Sequence, residues 1–467
     1  MVEQLSNELP LGWAKAEFQD IVDSFKRGPF GSAIKKGFFV SDGFKVYEQK
    51  NAIYDDPFRG EYYIDKAKYD ELAAFKIKPR DFIVSCSGTI GRILMLPDNS
   101  KPGIINQALL RIRIDERLIS HKFFLYLFRS EMFQKLILVE TRGSAMKNIT
   151  GVKDLKLISI TIPALPEQHR IVAKIEELFS ELDNGIENLK KAREQLKTYR
   201  QAVLKYAFEG KLTNQVYNGN LPENWRIQKL GECLDIVSGN TPKGINDIQN
   251  SGKIPFYKVG DMNTPGNEMY MKEANLNLTQ DEVNSLKIKI FPKGTVIFPK
   301  RGGAILTNKK RILNSFSGFD LNLMGAIPNE NIGSLYLYYW FQKLNLSNIY
   351  DGSNVPQINR KNIAPLDIPI PPIIDQRKIV SEIESRLSIC DKLEQTIEDS
   401  LNKAEALRQS ILKKAFSGEL TKDWREKHPE LISGKNSAEK LLERIKAEKT
   451  LSAADRKKPQ SKKTKKK

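Results

Sequence analysis

The segment EQLKTYRQAVLKYAFEGKLT (194–213) recurs 208 residues later as NKAEALRQSILKKAFSGELT (402–421). The two segments align without gaps and share nine of twenty residues, including an Arg-Gln pair, an Ala-Phe pair and a glycine. The same offset relates PEQHRIVAKIE (166–176) to IDQRKIVSEIE (374–384). Because a period near 208 residues is far longer than that of a solenoid repeat, the pattern predicts a duplicated unit.

Each copy of this repeat predicts one long helix. Apolar residues from Ile379 to Ile411 recur about every 3.6 positions, which is the helical period and is close to a coiled-coil heptad. A proline precedes each run, and Gly210 and Gly418 follow where a C-terminal cap belongs. The first helix, from residue 167 to residue 209, would contain 43 residues and would be about 60 Å long at ~1.5 Å per residue.

A narrow apolar stripe on so long a helix has to be buried against a partner, and the second copy is the nearest candidate. The alternative is that each helix packs on its own domain. Pairing predicts two mixed α/β (α+β) front domains in a pseudo-two-fold arrangement, separated by a pair of long antiparallel coiled-coil helices.

The front of each unit is expected to be mixed α/β. Its entry repeats as LPLGW (9–13) and LPENW (221–225), and its end as GSAMKNIT (143–150) and GSNVPQIN (352–359). Apolar runs bounded by Gly, Pro or Asn predict strands, and 121–138 and 332–344 each predict one helix. We therefore expect a first front domain, a helix, a second front domain, a second helix and a C-terminal extension with a disordered basic tail, at 1–164, 165–210, 211–372, 373–421 and 422–467.

The net charge is strongly positive and unevenly distributed. The 467 residues include 75 Lys and Arg against 57 Asp and Glu, which gives +18. The tail 456–467 holds eight basic residues and no acid, and each front domain, 1–164 and 211–372, has an excess of five. Both helices are nearly neutral. This distribution indicates two nucleic-acid-binding domains, an uncharged spacer and a tail that binds phosphate without sequence preference.

Several function classes find no support in the sequence. Three widely spaced cysteines and three histidines make no metal-binding pattern. No secretion signal or run long enough to span a membrane is visible, so a cytoplasmic protein that contacts no membrane is expected. Motifs for a P-loop, a zinc protease or a serine hydrolase are missing. Two alternatives stay open: a nuclease or methyltransferase with an unrecognised active site, and a coiled-coil scaffold.

The repeated ending P-x-x-x-Q-[RH]-x-I-V, long helix, L-K-x-A-F-x-G-x-L-T resembles the specificity (S, or HsdS) subunits of Type I restriction-modification enzymes. The L-P-x-x-W entry and the glycine-rich segment before each helix resemble them too, so the likeness covers residues 9–421. The resemblance implies that the front domains are target recognition domains and that the helices act as a ruler. It implies a non-catalytic subunit that binds double-stranded DNA and two adenine-specific methyltransferase subunits, joined by restriction subunits with ATP-driven translocase and nuclease activity.

No cofactor is expected in this chain, and S-adenosylmethionine, ATP and Mg²⁺ are expected on the partner subunits. Each recognition domain would bind one half of an asymmetric, bipartite target. An adenine in the duplex would be flipped into the methyltransferase.

Candidate DNA-binding residues are Arg, Lys, Asn, Gln, Asp and hydroxyl side chains in and near glycine-rich loops, because these groups contact base edges and phosphates. In the first domain they are Lys26, Arg27, Lys35, Lys36, Lys45, Gln49, Lys50, Asn51, Ser85, Ser87, Thr89, Arg92, Lys147 and Asn148. In the second they are Ser238, Asn240, Thr241, Lys243, Lys258, Asp261, Asn263, Lys300, Arg301, Asn354, Gln357, Asn359 and Arg360. The residues Gln168, Gln376, Arg170 and Lys378 at the helix starts are expected to tie each helix to its own domain.

Overall fold

The computed structural model describes residues 9–140, 147–149, 151–212, 221–351 and 355–457. The chain forms two units: unit 1 contains Met1–Glu187 and Leu401–Lys467, and unit 2 contains Asn188–Ser400. Both boundaries fall inside the two long helices, so each unit includes part of both.

The first repeat contains twelve strands and six α-helices among its described residues. Its strands are β1 Ala14–Glu17, β2 Val22–Arg27, β3 Phe39–Val40, β4 Phe44–Tyr47, β5 Tyr63–Ile64, β6 Phe82–Ser85, β7 Ile93–Met95, β8 Gly103–Ile105, β9 Leu109–Ile114, β10 Leu138–Glu140, β11 Lys147–Ile149 and β12 Ser159–Ile162. Its helices are α1 Gln49–Ile53, α2 Lys66–Glu71, α3 His121–Arg129, α4 Glu131–Ile137, α5 Val152–Lys156 and α6 Leu165–Phe208.

The second repeat contains ten strands among its described residues, and the C-terminal extension adds three α-helices. The strands are β13 Arg226–Lys229, β14 Asp235–Ser238, β15 Ile254–Tyr257, β16 Tyr270–Met271, β17 Leu276–Leu278, β18 Val296–Pro299, β19 Arg311–Leu313, β20 Gly318–Phe319, β21 Leu323–Ile327 and β22 Asp367–Ile370. The helices are α7 Leu230–Cys233, α8 Gln280–Ser285, α9 Ser334–Lys343, α10 Arg360–Ile363, α11 Ile373–Phe416, α12 Lys422–Lys427, α13 Pro429–Ile432 and α14 Ala438–Lys457.

The two units share a four-stranded antiparallel arrangement. In unit 1 the order is β2-β9-β6-β7, and in unit 2 it is β14-β21-β18-β19, to which β16 adds a fifth strand parallel to β19. A second sheet contains the one parallel pair described in unit 1, β4 with β8, and its counterpart in unit 2 pairs β15 with β20 in parallel. In each unit the entry strand pairs with the strand that leads into a long helix: β1 with β12, and β13 with β22. The L-P-x-x-W entry therefore lies beside the helix start.

The long helices confirm the prediction from the repeat. Helices α6 and α11 each contain 44 residues. In unit 1 the N-terminal half of α6 contacts the C-terminal end of α11, where Asp183 pairs with Arg408. In unit 2 the C-terminal half of α6 contacts the N-terminal half of α11, where Arg200 pairs with Asp391 at 2.7 Å. The two helices are therefore antiparallel.

The predicted apolar stripe is only partly buried. Ile171, Ile175, Ile379 and Ile383 are fully buried at the domain ends of the helices. Leu393, which the heptad pattern assigned to the stripe, is 48% exposed.

The prediction of one helix over 121–138 is wrong, because the chain breaks at Ser130 between α3 and α4. Ser130 has an extended backbone, and its hydroxyl accepts the Phe133 amide proton at 3.3 Å. A serine at this position is a good N-terminal cap, so it starts a new helix. The change of direction allows Phe123 and Phe133 to be buried in the same core.

The C-terminal extension packs on unit 1. The carboxylate of Glu167 is completely buried and accepts hydrogen bonds from Trp13 Nε1 at 2.9 Å and Thr421 Oγ1 at 2.8 Å. It also pairs with the Arg425 guanidinium. These contacts join the entry motif, the start of α6 and the chain after α11.

Helix α14 covers strand β1, and the sequence of β1 is adapted to it. Ala14 and Ala16 are buried in the same core as Leu442 of α14. The corresponding residues of unit 2 are Arg226 and Gln228, and both are exposed. A helix can pack closely on alanines, whereas the polar side chains of β13 remain in water.

Candidate nucleic-acid interface

Unit 1 gathers loops from both of its larger sheets at one edge. The loops follow β2, β4 and β6, and a short turn at 106–108 precedes β9. Backbone hydrogen bonds join them: Asn106 N donates to Tyr47 O at 3.0 Å, and Cys86 N donates to Ala108 O at 2.8 Å. We call these three loops and the turn the loop edge of unit 1.

A glycine allows two of these segments to touch. Gly28 N donates to Leu109 O at 2.9 Å. A Cβ at Gly28 would lie 1.8 Å from the Asn106 carbonyl oxygen, so no other residue fits without a backbone shift. This explains why a glycine ends β2.

Unit 2 builds the same edge from different residues. Asp320 N donates to Tyr257 O at 2.9 Å, and Lys300 N donates to Asn322 O at 2.9 Å. A Cβ at Gly239 would lie 2.1 Å from Phe319 O, as at Gly28 in unit 1. The loops after β14, β15 and β18 and the turn 320–322 are the loop edge of unit 2. The segment 355–358 adds to it, since Ile358 N donates to Lys300 O at 2.8 Å.

The first turn after β4 and its counterpart after β15 have the same construction. Asn51 Oδ1 accepts the Glu48 amide proton at 2.8 Å, and its Nδ2 donates to the carbonyls of Asp56 and Arg59. Asp261 accepts the Lys258 amide proton at 2.6 Å. Both side chains are almost completely buried. Asn51 and Asp261, which we predicted as DNA contacts, therefore shape the loops.

Two more candidates have structural roles in unit 1. Lys45 is buried, and its ammonium donates to the carbonyls of Phe58 at 3.2 Å and Gly60 at 2.7 Å. Burial lowers its pKa, and the nearby charge of Lys101 lowers it further. The buried Ser85 donates to Thr89 O at 2.6 Å and accepts from Arg92 N at 3.0 Å. Neither side chain faces solvent, because each is used inside the protein.

The other described candidates are exposed or half-buried. Those exposed are Arg27, Lys35, Lys36, Lys50, Ser87, Thr89, Arg92, Thr241, Lys243, Lys258, Asn263, Arg301 and Arg360. Those half-buried are Lys26, Gln49, Ser238, Asn240, Lys300, Gln357 and Asn359. Most of them lie on the two loop edges. Their side chains carry hydrogen-bond donors and acceptors that can contact bases and phosphates. Arg92 also lines a cleft of about 1030 Å³ with Asp55 and Arg129.

Two half-buried side chains stand out by their surroundings. Lys300 Nζ donates to Ser238 Oγ at 3.0 Å, and burial followed by the charge of Arg301 lowers the pKa of Lys300. The Gln49 Oε1 atom is buried without a hydrogen-bond partner, and its amide nitrogen lies 3.9 Å from where a Cβ of Gly88 would be. A buried acceptor without a partner is unusual in a folded protein, and this one lies on the loop edge of unit 1.

The side-chain positions of three candidates are not described. Asn354 lies outside the described residues, and Lys147 and Asn148 belong to β11, of which only the backbone is described.

The prediction for the helix starts is confirmed for the two glutamines. Gln168 Oε1 accepts the Ser120 amide proton at 2.8 Å, and its Nε2 donates to the Leu118 and Pro163 carbonyls. Gln376 makes the same three bonds to Gly333, Asn331 and Pro371.

The basic residues two positions after these glutamines do not make comparable hydrogen bonds to their domains. Arg170 and Lys378 are exposed, and Lys378 Nζ contacts Asp375 of its own helix at 3.2 Å. The glutamines therefore hold the helix starts.

Sequence reasoning missed three residues of the loop edge of unit 1. Asn106 forms the turn before β9 through its Oδ1, which accepts the Ala108 amide proton at 3.0 Å. Gln107 is exposed at the tip of that turn. Phe30, in the loop after β2, was not a candidate because only polar and charged side chains were considered. The Asn-Gln pair between two apolar runs was a turn signal that could have indicated the first two.

The comparisons with known proteins agree with the duplication. Residues 10–192 and 222–403 each match the family described as "Type I restriction modification DNA specificity domain". The chain belongs to this family. The predicted resemblance, and with it the prediction of a non-catalytic specificity subunit, is confirmed.

Relatives in this family match nearly the whole chain. The Type I restriction enzyme StySPI specificity subunit of Salmonella potsdam is 28% identical over 474 residues, covering 95% of this chain and 97% of that protein. The EcoKI specificity subunit of Escherichia coli strain K12 is 26% identical over 465 residues, covering 96% and 97%.

Solved structures share the fold. The HsdS subunit from Thermoanaerobacter tengcongensis has a TM-score of 0.56 at 20% identity and covers 90% of this chain and 100% of its own. A second solved structure, described as showing the complex assembly and conformational transition of the type I R-M system, contains a chain with a TM-score of 0.65 at 20% identity. The match covers 88% of this chain and 99% of that one. The predicted fold class, mixed α/β domains with a pair of long helices, is confirmed.

Two further observations bear on other functions. Across the described ranges, no three His, Cys, Asp or Glu residues are grouped so that they could hold a metal ion. Within the same ranges, every helix is too short or too polar to cross a membrane.

Proposed function

We propose that each unit binds one half of an asymmetric, bipartite DNA target through its loop edge. The observation that carries this proposal is that one backbone arrangement occurs in both units with different side chains. The loop edge of unit 1 presents Arg27, Lys50 and Thr89, whereas that of unit 2 presents Thr241, Lys258 and Arg301. Because base readout depends on side-chain donors and acceptors, two such edges would read two different half-sites.

The charge of the two front domains supports DNA as the ligand. Each has an excess of five basic residues, and the helices are nearly neutral. Nonspecific attraction to phosphates therefore acts where the candidate base contacts are. The names of the relatives, which are specificity subunits of Type I restriction enzymes, support the same assignment.

The proposed role of helices α6 and α11 is to set the number of unread base pairs between the half-sites. We also propose that they dock two adenine-N6 methyltransferase subunits and, through these, ATP-dependent restriction subunits. Ile389 and Leu393, one turn apart on α11, are 55% and 48% exposed, which is typical of a surface that a partner covers. S-adenosylmethionine, ATP and Mg²⁺ would be bound by those partners.

Sequencing of modified bases tests this function. DNA from cells that carry this chain with its methyltransferase should contain N6-methyladenine in a motif of two different halves separated by unread bases. Methylation of a continuous palindrome would contradict the proposal. Cleavage or methylation of DNA by the purified chain alone would favour an enzyme with an unrecognised site, and failure to bind duplex DNA with or without the methyltransferase would favour a scaffold.

A further inference from the structure

The loop edge of unit 1 exposes an aromatic ring. Phe30 is 90% exposed, more than any other large hydrophobic side chain among the described residues. A single exposed apolar residue is common on protein surfaces. What sets Phe30 apart is how its loop holds it.

The backbone on both sides of Phe30 is fixed. Gly28 is pressed against the Asn106 carbonyl, where a Cβ would lie at 1.8 Å. Pro29 is buried, and its ring restricts the backbone. The Phe30 carbonyl then accepts the Ala33 amide proton at 2.9 Å, in the single 3₁₀ turn Gly31–Ala33. These contacts constrain the backbone on both sides of Phe30, and the ring is exposed to solvent.

The surroundings of this ring suit DNA and not an apolar partner. Residues 24–37 contain four basic side chains and no acidic one. Arg27, Lys35 and Lys36 are exposed, as is Gln107 beside Gly28. Cations attract the phosphates of a duplex, and an exposed aromatic ring on the same loop can then reach the stacked bases inside the backbone.

The matching position in unit 2 has a different chemistry. Since Gly28 and Gly239 hold equivalent places, Phe30 corresponds to Thr241 two residues further on. Thr241 is exposed, and its Oγ1 accepts the Leu321 amide proton at 3.1 Å. A threonine therefore fits this turn, and the aromatic ring is a feature of unit 1 alone.

We propose that Phe30 inserts between neighbouring base pairs of the half-site bound by unit 1 and opens that base step. This inference rests on the proposed function. Apolar side chains that act as wedges unstack a step and bend the duplex, at a cost that depends on the step. Pyrimidine–purine steps open most readily. Phe30 would therefore select for a deformable step without a hydrogen bond to any base.

The test uses the full chain with its methyltransferase and duplexes that carry the methylated motif, with 2-aminopurine at one position at a time. Unstacking raises the fluorescence of 2-aminopurine. The unsubstituted protein should give a rise at one step of the half-site read by unit 1, apart from the rise at the flipped target adenine. Phe30→Thr should lose the first rise, keep the second and bind the duplex roughly ten- to a hundredfold more weakly.

Two further variants complete the design. Phe30→Trp should restore both the affinity and the fluorescence at the opened step. Phe316→Thr removes another exposed phenylalanine, 65% exposed in unit 2 and outside its loop edge, and should change neither.

The outcomes separate this inference from the proposed function. If the unsubstituted complex binds the motif but shows no opened step outside the target adenines, the wedge is overturned and DNA recognition stands. Unchanged affinity and fluorescence in Phe30→Thr would overturn it as well. If the unsubstituted complex does not bind the motif, the proposed function fails and the wedge fails with it.

Discussion

Glu167 and Asp375 begin the two repeats of the long helix at equivalent positions, but their surroundings differ. Glu167 is fully buried, with bonds from Trp13, Thr421 and Arg425. Asp375 is half-buried and contacts Asn224 at 3.3 Å. The C-terminal extension, which packs only on unit 1 among the described contacts, is the reason for the difference.

Replacing each carboxylate should therefore have unequal effects. Glu167→Ala leaves the Arg425 guanidinium buried without its counter-charge, which should cost about 3–5 kcal/mol of unfolding free energy. Asp375→Ala, the matched control, should cost no more than about 1 kcal/mol. Urea unfolding of the full chain, followed by tryptophan fluorescence, measures both. Equal losses would contradict the role given to the extension.

We expect Lys310 to make the stability of the protein depend on pH. Its ammonium is buried, donates to Asn308 Oδ1 at 2.7 Å and to Leu344 O at 2.6 Å, and burial lowers its pKa to about 7. Between that pKa and the unfolded value of 10.5, the unfolded chain holds a proton that the folded chain has released. The contribution of Lys310 to stability therefore rises with pH across this interval and is lowest below it.

Lys310→Met should remove that rise. The increase in unfolding free energy from about pH 6 to about pH 9 should be smaller in this variant than in the unsubstituted protein, by a few kcal/mol at most. Lys309→Met, at the adjacent and less buried residue, should leave the difference unchanged. Urea unfolding at the two pH values measures it, and an identical pH dependence in Lys310→Met would contradict the burial of a titrating ammonium.

At the scale of elements, two glycines of the first long helix have different roles. Gly210 follows α6 with a φ of +74°, and a Cβ there would lie 2.8 Å from Pro222 Cδ of the entry motif. Gly185 lies within α6, and a Cβ there would meet nothing within 4 Å. The first glycine serves a helix cap and a close contact, whereas the second only weakens the helix.

Replacement by alanine should therefore change the free energy of unfolding in opposite directions at these two positions. Gly185→Ala should stabilise the protein by about 0.5–1 kcal/mol through helix propensity. Gly210→Ala should destabilise it by about 1–3 kcal/mol, because both the left-handed backbone and the proline ring oppose a side chain. Thermal unfolding by circular dichroism measures both, and a loss of stability in Gly185→Ala would contradict the account of α6.

The elements also show where sequence reasoning succeeds. The helix predicted over 167–209 is observed as Leu165–Phe208, with Pro166 inside its first turn, because a long periodic pattern between a proline and a glycine is a local signal. The single helix predicted over 121–138 was wrong because the periodicity continues through Ser130, where a local cap starts a second helix.

The loop edges were predictable as loops but not residue by residue. Glycine and polar residues marked them, yet Lys45, Asn51 and Asp261 are buried through hydrogen bonds to groups 15, 8 and 14 residues along the chain, beyond the reach of a local pattern. Nothing in a local pattern separates a lysine that binds two carbonyls from one that faces solvent. The constrained backbone beside Phe30 likewise depends on the Asn106 carbonyl, 76 residues away.

For the whole molecule, we expect the basic tail to contribute to DNA affinity and the two front domains to determine DNA specificity. The tail 456–467 contributes eight positive charges, which should attract phosphates without reading bases. Deleting it should weaken binding to the target and reduce the dependence of log Kd on log salt concentration. The methylated motif should stay the same. A Gly-Ser tail of equal length is the control for length, and a changed motif in the deletion would contradict this division.

The central claim is that two independent recognition units read two halves of one target. The most direct measurement exchanges residues 1–164 for the corresponding segment of a relative that methylates a different motif, and then maps N6-methyladenine across the genome of cells that carry the hybrid. The account predicts that one half of the motif changes to that of the relative, while the other half and the number of unread bases between them stay the same. A motif that changes in both halves, or in neither, would contradict it.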